Sequence, residues 1–273
     1  MTNLITVDSL DFVYPDGTPA LYDINLEIGE REIIAFIGQN GSGKTTLSKC
    51  LNGLLKPTRG KIVVDDIDTR QKGIIKQLVT KVGYVFQNPD HQLFNRSVWA
   101  EIAYGPNNIG LSQEEVKERV LEAAKVAGVH EDVFDTHPYF LDKGLRQRVA
   151  IASILALRPK TIIVDEPTTG QDVRQSIEVM NFLRSLREKE GHTIIIITHE
   201  MRIVADYAER TVVLGQGRKL LDGPTREIFA QPDTLKQTFV EPPQITQLGQ
   251  ALVEEGIPKD ILTIEEMKAE FKK

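Results

Sequence analysis

Gly38-Gln39-Asn40-Gly41-Ser42-Gly43-Lys44-Thr45 fits the pattern G-x-x-x-x-G-K-[ST], a phosphate-binding loop. It follows the apolar run Arg31–Ile37 and precedes a helical pattern. In that setting glycines turn backbone N–H groups inward, and the helix N-terminus adds partial positive charge. Gly38, Asn40, Gly41, Ser42, Gly43 and Thr46 would hold the phosphates of a nucleotide, Lys44 would neutralise the β- and γ-phosphates, and the Thr45 hydroxyl would ligate Mg²⁺. About 120 residues further on, the apolar strand Thr161–Val164 ends in Asp165-Glu166. A buried strand delivers Asp165 to its C-terminal edge, where open α/β sheets bind ligands, placed to hold Mg²⁺ directly or through water. Glu166 points differently and is placed to polarise a water aligned with the γ-phosphate. Alone, such a pair equally reads as carboxylates at a helix start; the phosphate loop upstream makes it specific.

Two further polar residues end strand patterns. His199 closes Ile194-Ile195-Ile196-Ile197-Thr198, and Gln87 closes Gly83-Tyr84-Val85-Phe86. A lone histidine is more often structural than functional, and Gln87 in isolation is equally weak. Tyr14, beside the turn Pro15-Asp16-Gly17, either stacks on a purine or is an ordinary core or surface tyrosine.

The elements that position these residues can be read from periodicity. Leu4–Val7 and Tyr22–Ile28 alternate, predicting half-buried antiparallel strands. A helix is expected from Lys44 towards Leu55, punctuated by Gly53 and Pro57, and another over Ser112–Val126, with Ser112 and Glu115 spaced as a capping box. Further helices are expected over Lys143–Leu157 and from Asp172 to about Lys189, with strands at Lys81–Phe86, Thr161–Val164 and Thr193–Thr198. Alternating buried strands and helices indicate an α/β domain with a parallel sheet. Leu221-Asp222-Gly223-Pro224 reads as a turn before a short helix. After Pro232 the texture changes: Glu241-Pro242-Pro243 breaks the chain, and Ile245, Leu248, Ala251 and Leu252 share one helical face, suited to packing on the core or on another subunit.

Composition bounds the function classes. The 273 residues are 41% hydrophobic and 26% charged, ordinary for a globular chain. Thirty-nine acidic against 33 basic residues give a net charge of −6, which argues against non-specific nucleic-acid binding. The single Cys50 fits a reducing compartment. Apolar runs are strand-sized, far below the ~20 residues of a membrane span, and no basic-then-apolar leader opens the sequence. The expected location is the cytoplasmic face of a membrane, reached through a partner.

Taken in order, Tyr14, the Walker A loop (38–45), Gln87, the helix start at 141–150, the Walker B strand (161–166), Gly170-Gln171-Asp172 and His199 resemble the nucleotide-binding subunit of an ABC transporter. The resemblance covers residues 1–230. It implies a P-loop NTPase of ABC type: a RecA-like parallel-sheet core, an N-terminal antiparallel β subdomain, an α-helical subdomain at about 88–157, and a short C-terminal extension over 231–273 for dimerisation or packing. It also implies ATP with Mg²⁺ held by Thr45, Gln87 and Asp165, catalysis by Glu166, His199 and Gln87, and a D-loop at Asp172. Two such subunits sandwich two ATPs. Gln87-Asn88-Pro89-Asp90-His91-Gln92-Leu93-Phe94 and Glu241-Pro242-Pro243 are similar, more narrowly, to energy-coupling factor ATPases. That likeness implies Asp90 as a docking residue for a transmembrane coupling subunit, a separate substrate-binding membrane subunit, and import of a vitamin or transition-metal ion. The alternatives are a subunit of another ABC transporter or a soluble ABC ATPase.

One segment departs from the family pattern. Where the family has L-S-G-G-Q facing the partner's ATP, this chain has Leu141-Asp142-Lys143-Gly144-Leu145. Asp142 caps a helix as well as serine does. Toward a phosphate charge ~4 Å away, however, its carboxylate meets a repulsion of about 4 kcal/mol at an effective dielectric near 20. Lys143 offsets that only if its ammonium reaches the phosphate. The catalytic half of a site is intact and the half lent to a neighbour is altered, so a heterodimer with a second ATPase carrying the regular signature is expected, a homodimer being the alternative.

Overall fold

The structure, a computed structural model, describes residues 3–272. Strands β1 (Ile5–Val13) and β2 (Pro19–Ile28) pair antiparallel with alternating burial. β3 (Ile33–Ile37) is buried at every position and runs into helix α1 (Lys44–Leu51). That helix stops a turn before Leu55, because Asn52 caps it and Gly53 takes a left-handed φ of 77°. β4 (Arg59–Val64) and β5 (Ile67–Asp68) complete a four-stranded antiparallel sheet ordered β2-β1-β4-β5.

After the one-turn helix α2 (Ile75–Leu78) comes β6 (Val82–Val85), fully buried. Three helices follow, α3 (Val98–Ile109), α4 (Gln113–Ala127) and α5 (Lys143–Leu155), and they pack on one another. The capping box of Ser112 and Glu115 is formed at the start of α4. β7 (Thr161–Asp165), α6 (Val173–Glu190) and β8 (Thr193–Ile197) alternate next, then α7 (Met201–Tyr207), β9 (Arg210–Gly215) and β10 (Arg218–Pro224). The second sheet has six strands ordered β10-β9-β3-β8-β7-β6, parallel except for β10. Its inner strands are covered on both faces, so they read as continuous apolar runs without alternation.

One expectation needs correction. Leu221–Pro224 is not a turn but the second half of β10, with Asp222 opposite Val212. Asp222 is held there by Arg210 Nε (2.7 Å) and Lys219 Nζ (2.9 Å). As an edge strand, β10 tolerates Pro224, which lacks an N–H. The expected C-terminal face divides, with Ile245 and Leu252 packed within the chain and Leu248 and Ala251 exposed. After α8 (Thr225–Phe229) and α9 (Pro232–Lys236), Leu235 and Val240 still belong to the main core. Helix α10 (Gln244–Ala251) then buries Thr246 and Gly249, leaving Leu248 45% exposed and Ala251 exposed as well. Its contact is made by small residues: Thr246 Oγ1 donates to Ile261 O, and a Cβ at Gly249 would lie 2.9 Å from Pro258 O. Ile257, Ile261 and Met267, the last on α11 (Ile264–Glu270), form a separate small cluster with Ile245 and Leu252.

Candidate functional site

The C-terminal ends of β3, β6, β7 and β8 open into one cleft of about 1200 Å³. β3 feeds the glycine loop, which needs its glycines for two different reasons. Gly38 has φ 145°, and a Cβ there would sit 2.1 Å from Leu214 O on β9. Gly43 caps α1 at φ 101°, with Leu21 Cδ2 2.7 Å from its Cβ position. Ser42 Oγ is buried and has no hydrogen-bond partner, an orphan donor inside the loop of the kind a phosphate oxygen satisfies. Lys44, 8% exposed, donates from Nζ to Gly38 O (2.7 Å) and Gln39 O (3.0 Å). Burial lowers its pKa, and the carboxylates of Glu166 and Asp165 oppose that shift in part.

β7 carries Asp165 to the floor of the cleft, 9% exposed. Its Oδ2 accepts hydrogen bonds from Thr45 Oγ1 (3.3 Å) and from Tyr84 Oη (2.7 Å) on β6. Burial and the adjacent Asp165 charge push the Tyr84 phenol well above its usual range, so it stays a donor. Among the described residues no group of three or more His, Cys, Asp or Glu is spaced to hold a metal. One carboxylate beside one hydroxyl nevertheless suits Mg²⁺, which keeps several waters and takes its other oxygens from substrate phosphates.

Glu166, next along, has φ 49°, a left-handed conformation rare for a non-glycine residue and typical of functional turns. Its Oε1 lies 2.9 Å from His199 Nδ1 at the end of β8, and its Oε2 accepts from Thr169 Oγ1 (3.3 Å). Tyr14 Oη pairs with Thr46 Oγ1 at 2.8 Å, and its ring meets Phe12 edge-on at 4.9 Å. Tyr14, Asn40, Gly41, Thr46 and the exposed Gln87 line the same cleft.

Other expected residues lie outside it. Asp142 caps α5 by accepting from Leu145 N (2.9 Å), with Gly144 and Leu145 half-buried behind it. Lys143 does not extend outward: its Nζ donates to Thr169 O (3.0 Å) and Gly170 O (3.2 Å) of its own chain. Asp172 caps α6 in a capping box with Gln175. Asp90, in a single 3₁₀ turn, pairs with Arg146 Nε of α5 at 3.0 Å. Sequence reasoning missed Tyr84 and Thr169. The polar tip of Tyr84 in an otherwise apolar buried strand is the signal for the first; nothing local marks Thr169.

A glycine loop at the end of a parallel strand, a buried aspartate at the end of a neighbouring strand, and a glutamate–histidine pair beside it define a P-loop ATPase. The ABC transporter family matches residues 21–169, more than half of the chain. This chain belongs to that family, and within it to the ATP-binding proteins of energy-coupling factor transporters. It is 44% identical over 271 residues to energy-coupling factor transporter ATP-binding protein EcfA2 of Caldanaerobacter subterraneus subsp. tengcongensis, covering 97% of this chain and 95% of that protein. To EcfA1 of the same organism it is 42% identical over 273 residues, covering 98% of each. The solved structure of cbiO1 from Clostridium perfringens, part of the ABC transporter complex cbiONQ, superposes with a TM-score of 0.77 at 36% identity, covering 93% of this chain and 97% of that one. The chain is therefore an ATP-binding ATPase subunit of an energy-coupling factor transporter.

Proposed function

We propose that this chain powers import of a vitamin or a transition-metal ion, acting at the cytoplasmic face of the membrane as one half of a two-ATPase clamp. The observation that carries the reading is the division of labour in space. Lys44, Thr45, Asp165, Glu166, His199 and Gln87 meet in one cleft, while Asp142–Leu145 and Asp172 are not among the residues that line it.

In this reading Tyr14 stacks on the adenine, and the loop N–H groups with the Ser42 hydroxyl receive phosphate oxygens. Lys44 exchanges its loop carbonyls for the β- and γ-phosphates, which favour the charged form that burial disfavours. Thr45, Asp165 and Gln87 would hold Mg²⁺, which when bound neutralises developing phosphate charge. Glu166 accepts a proton from the attacking water, and His199 at Oε1 and Thr169 at Oε2 hold its carboxylate in place. Among the described residues no helix is long and apolar enough to cross a membrane, so coupling to transport runs through membrane partners docked near Asp90.

The second ATPase carries the regular signature. Relatives occur as both EcfA1 and EcfA2, which suits a pair of unlike subunits. The Lys143 contacts point the same way, because an ammonium engaged with Thr169 and Gly170 does not offset the Asp142 carboxylate at a partner's phosphate. The test is reconstitution in proteoliposomes with the membrane subunits and the second ATPase, followed by ATP-driven uptake of labelled vitamins and transition-metal ions. Uptake that stops with Glu166→Gln supports the proposal; uptake unaffected by that change sinks it.

A further inference from the structure

Lys143 stands where the family pattern L-S-G-G-Q has a glycine. Its ammonium does two things at once: it donates to Thr169 O at 3.0 Å and to Gly170 O at 3.2 Å. Those carbonyls belong to the loop that joins the Walker B strand to α6. Thr169 also reaches in the opposite direction, where its hydroxyl donates to Glu166 Oε2 at 3.3 Å. Glu166 in turn meets His199 through Oε1 at 2.9 Å. A continuous line of hydrogen bonds therefore runs from the signature segment of this chain to its own catalytic carboxylate. Gly170 permits the contact: it holds φ 72°, and a Cβ there would come within 2.5 Å of the Lys143 Nζ.

The Thr169 N–H also donates to Glu166 O at 3.3 Å, so the Lys143 contacts add to a backbone tether between the same two residues. Gln171 Nε2 donates to Pro167 O and the Gln171 N–H donates to Thr168 O, both within the loop itself. Thr168 Oγ1 binds Glu200, which fixes the loop at its buried side, while Lys143 holds the carbonyls of the Thr169–Gly170 tip. Glu166 sits at a left-handed φ of 49°, a conformation that surrounding contacts must hold.

We infer that Lys143 is a positioning residue for Glu166: through Thr169 it fixes the carboxylate of its own chain, tying the segment lent to the partner's nucleotide to hydrolysis at this chain's own site. The inference rests on the proposed role of Glu166 as base and goes beyond it, since it assigns Lys143 to the cis site. Pulling the signature loop toward a partner's nucleotide would loosen the Thr169–Glu166 contact, so the two sites of a dimer communicate through this lysine.

The test is a double-mutant cycle on ATP turnover in the assembly that hydrolyses ATP, using Lys143→Met, Thr169→Val and the pair. Thr169→Val keeps the carbonyl that Lys143 binds and removes only the hydroxyl that reaches Glu166. Each single change is expected to lower kcat by about 10- to 100-fold, the effect of a misplaced reacting group, with KM for ATP nearly unchanged. The double variant should be no slower than the slower single one, and Lys143→Arg, which keeps donors for the two carbonyls, should restore most of kcat. Lys143 is exposed, so thermal midpoints should stay at the wild-type value. Multiplicative losses, or a raised KM with kcat intact, would overturn the inference, for a lysine touching the partner's phosphate gives those. Turnover that survives Glu166→Gln would overturn the reading beneath it as well, which separates the two failures.

Discussion

Removing one oxygen atom at Tyr84 tests how the metal-side carboxylate is held. Tyr84 is 4% exposed and Asp165 9%, and the phenol donates to Asp165 Oδ2 at 2.7 Å. Tyr84→Phe keeps the ring, including its edge-on contact with Phe86 at 5.0 Å, and takes away only the donor. A buried hydrogen bond to a charged group contributes about 1.5–3 kcal/mol. Losing a partner that orients a metal-binding carboxylate costs about 10- to 100-fold in metal affinity or activity, or ~1.4–2.7 kcal/mol. The two routes agree in size. The assay is ATP turnover against Mg²⁺ concentration at saturating ATP, with thermal unfolding in parallel. The Mg²⁺ concentration for half-activation should rise about tenfold or more, and the thermal midpoint should fall by about 2–6 °C. An unchanged Mg²⁺ dependence with a lowered midpoint would refute the reasoning, because Tyr84 would then serve packing alone.

Three further outcomes are expected. Gly38→Ala forces a Cβ to within 2.1 Å of Leu214 O, so urea titration should show a loss of about 1–3 kcal/mol and a fluorescent ATP analogue should bind at least tenfold more weakly; normal binding would contradict the close approach. His192 is half-buried, and that burial lowers its pKa from the ordinary 6.5, while its Nδ1 pairs with Pro159 O at 2.8 Å. The unfolded chain therefore takes up that proton first, so His192 contributes stability above about pH 6.5 that is lost as pH falls towards its folded pKa; His192→Asn should flatten the decline of thermal midpoint with acidity over that window, and an unchanged slope would count against it. Asp90→Lys places a cation against Arg146, with which Asp90 now pairs at 3.0 Å; it should abolish co-purification with the membrane subunits while ATP binding persists, and a retained complex would argue against Asp90 as a docking residue.

Much of this site is legible because each piece sits where a strand ends. The apolar runs before Gly38, Asp165 and His199 are long enough to be buried strands, and parallel pairing brings their C-terminal ends together. What the sequence hides is of two kinds. Contacts between elements, such as Tyr84 with Asp165 or Lys143 with Thr169, join residues 81 and 26 positions apart and leave no periodic trace. Edge elements are obscured by their own breakers: Gly223 and Pro224 read as a turn although they end β10, and α3 runs through Pro106. The face of α10 is only partly covered within the chain. Its helix packs through Thr246 and Gly249, small residues that allow close backbone approach, so the larger Leu248 is left outside.

The most direct test of the central claim, that this chain owns a complete catalytic half-site but lends a weak signature, is ATP turnover of the purified chain with and without a second ATPase carrying Leu-Ser-Gly-Gly-Gln. Glu166→Gln serves as the background control. The predicted result is nucleotide binding with little turnover by the chain alone, rising on addition of the partner and depending on Glu166 of this chain. Brisk, Glu166-dependent hydrolysis by the chain alone, unchanged by the partner, would contradict it and show that Asp142 is tolerated opposite a phosphate.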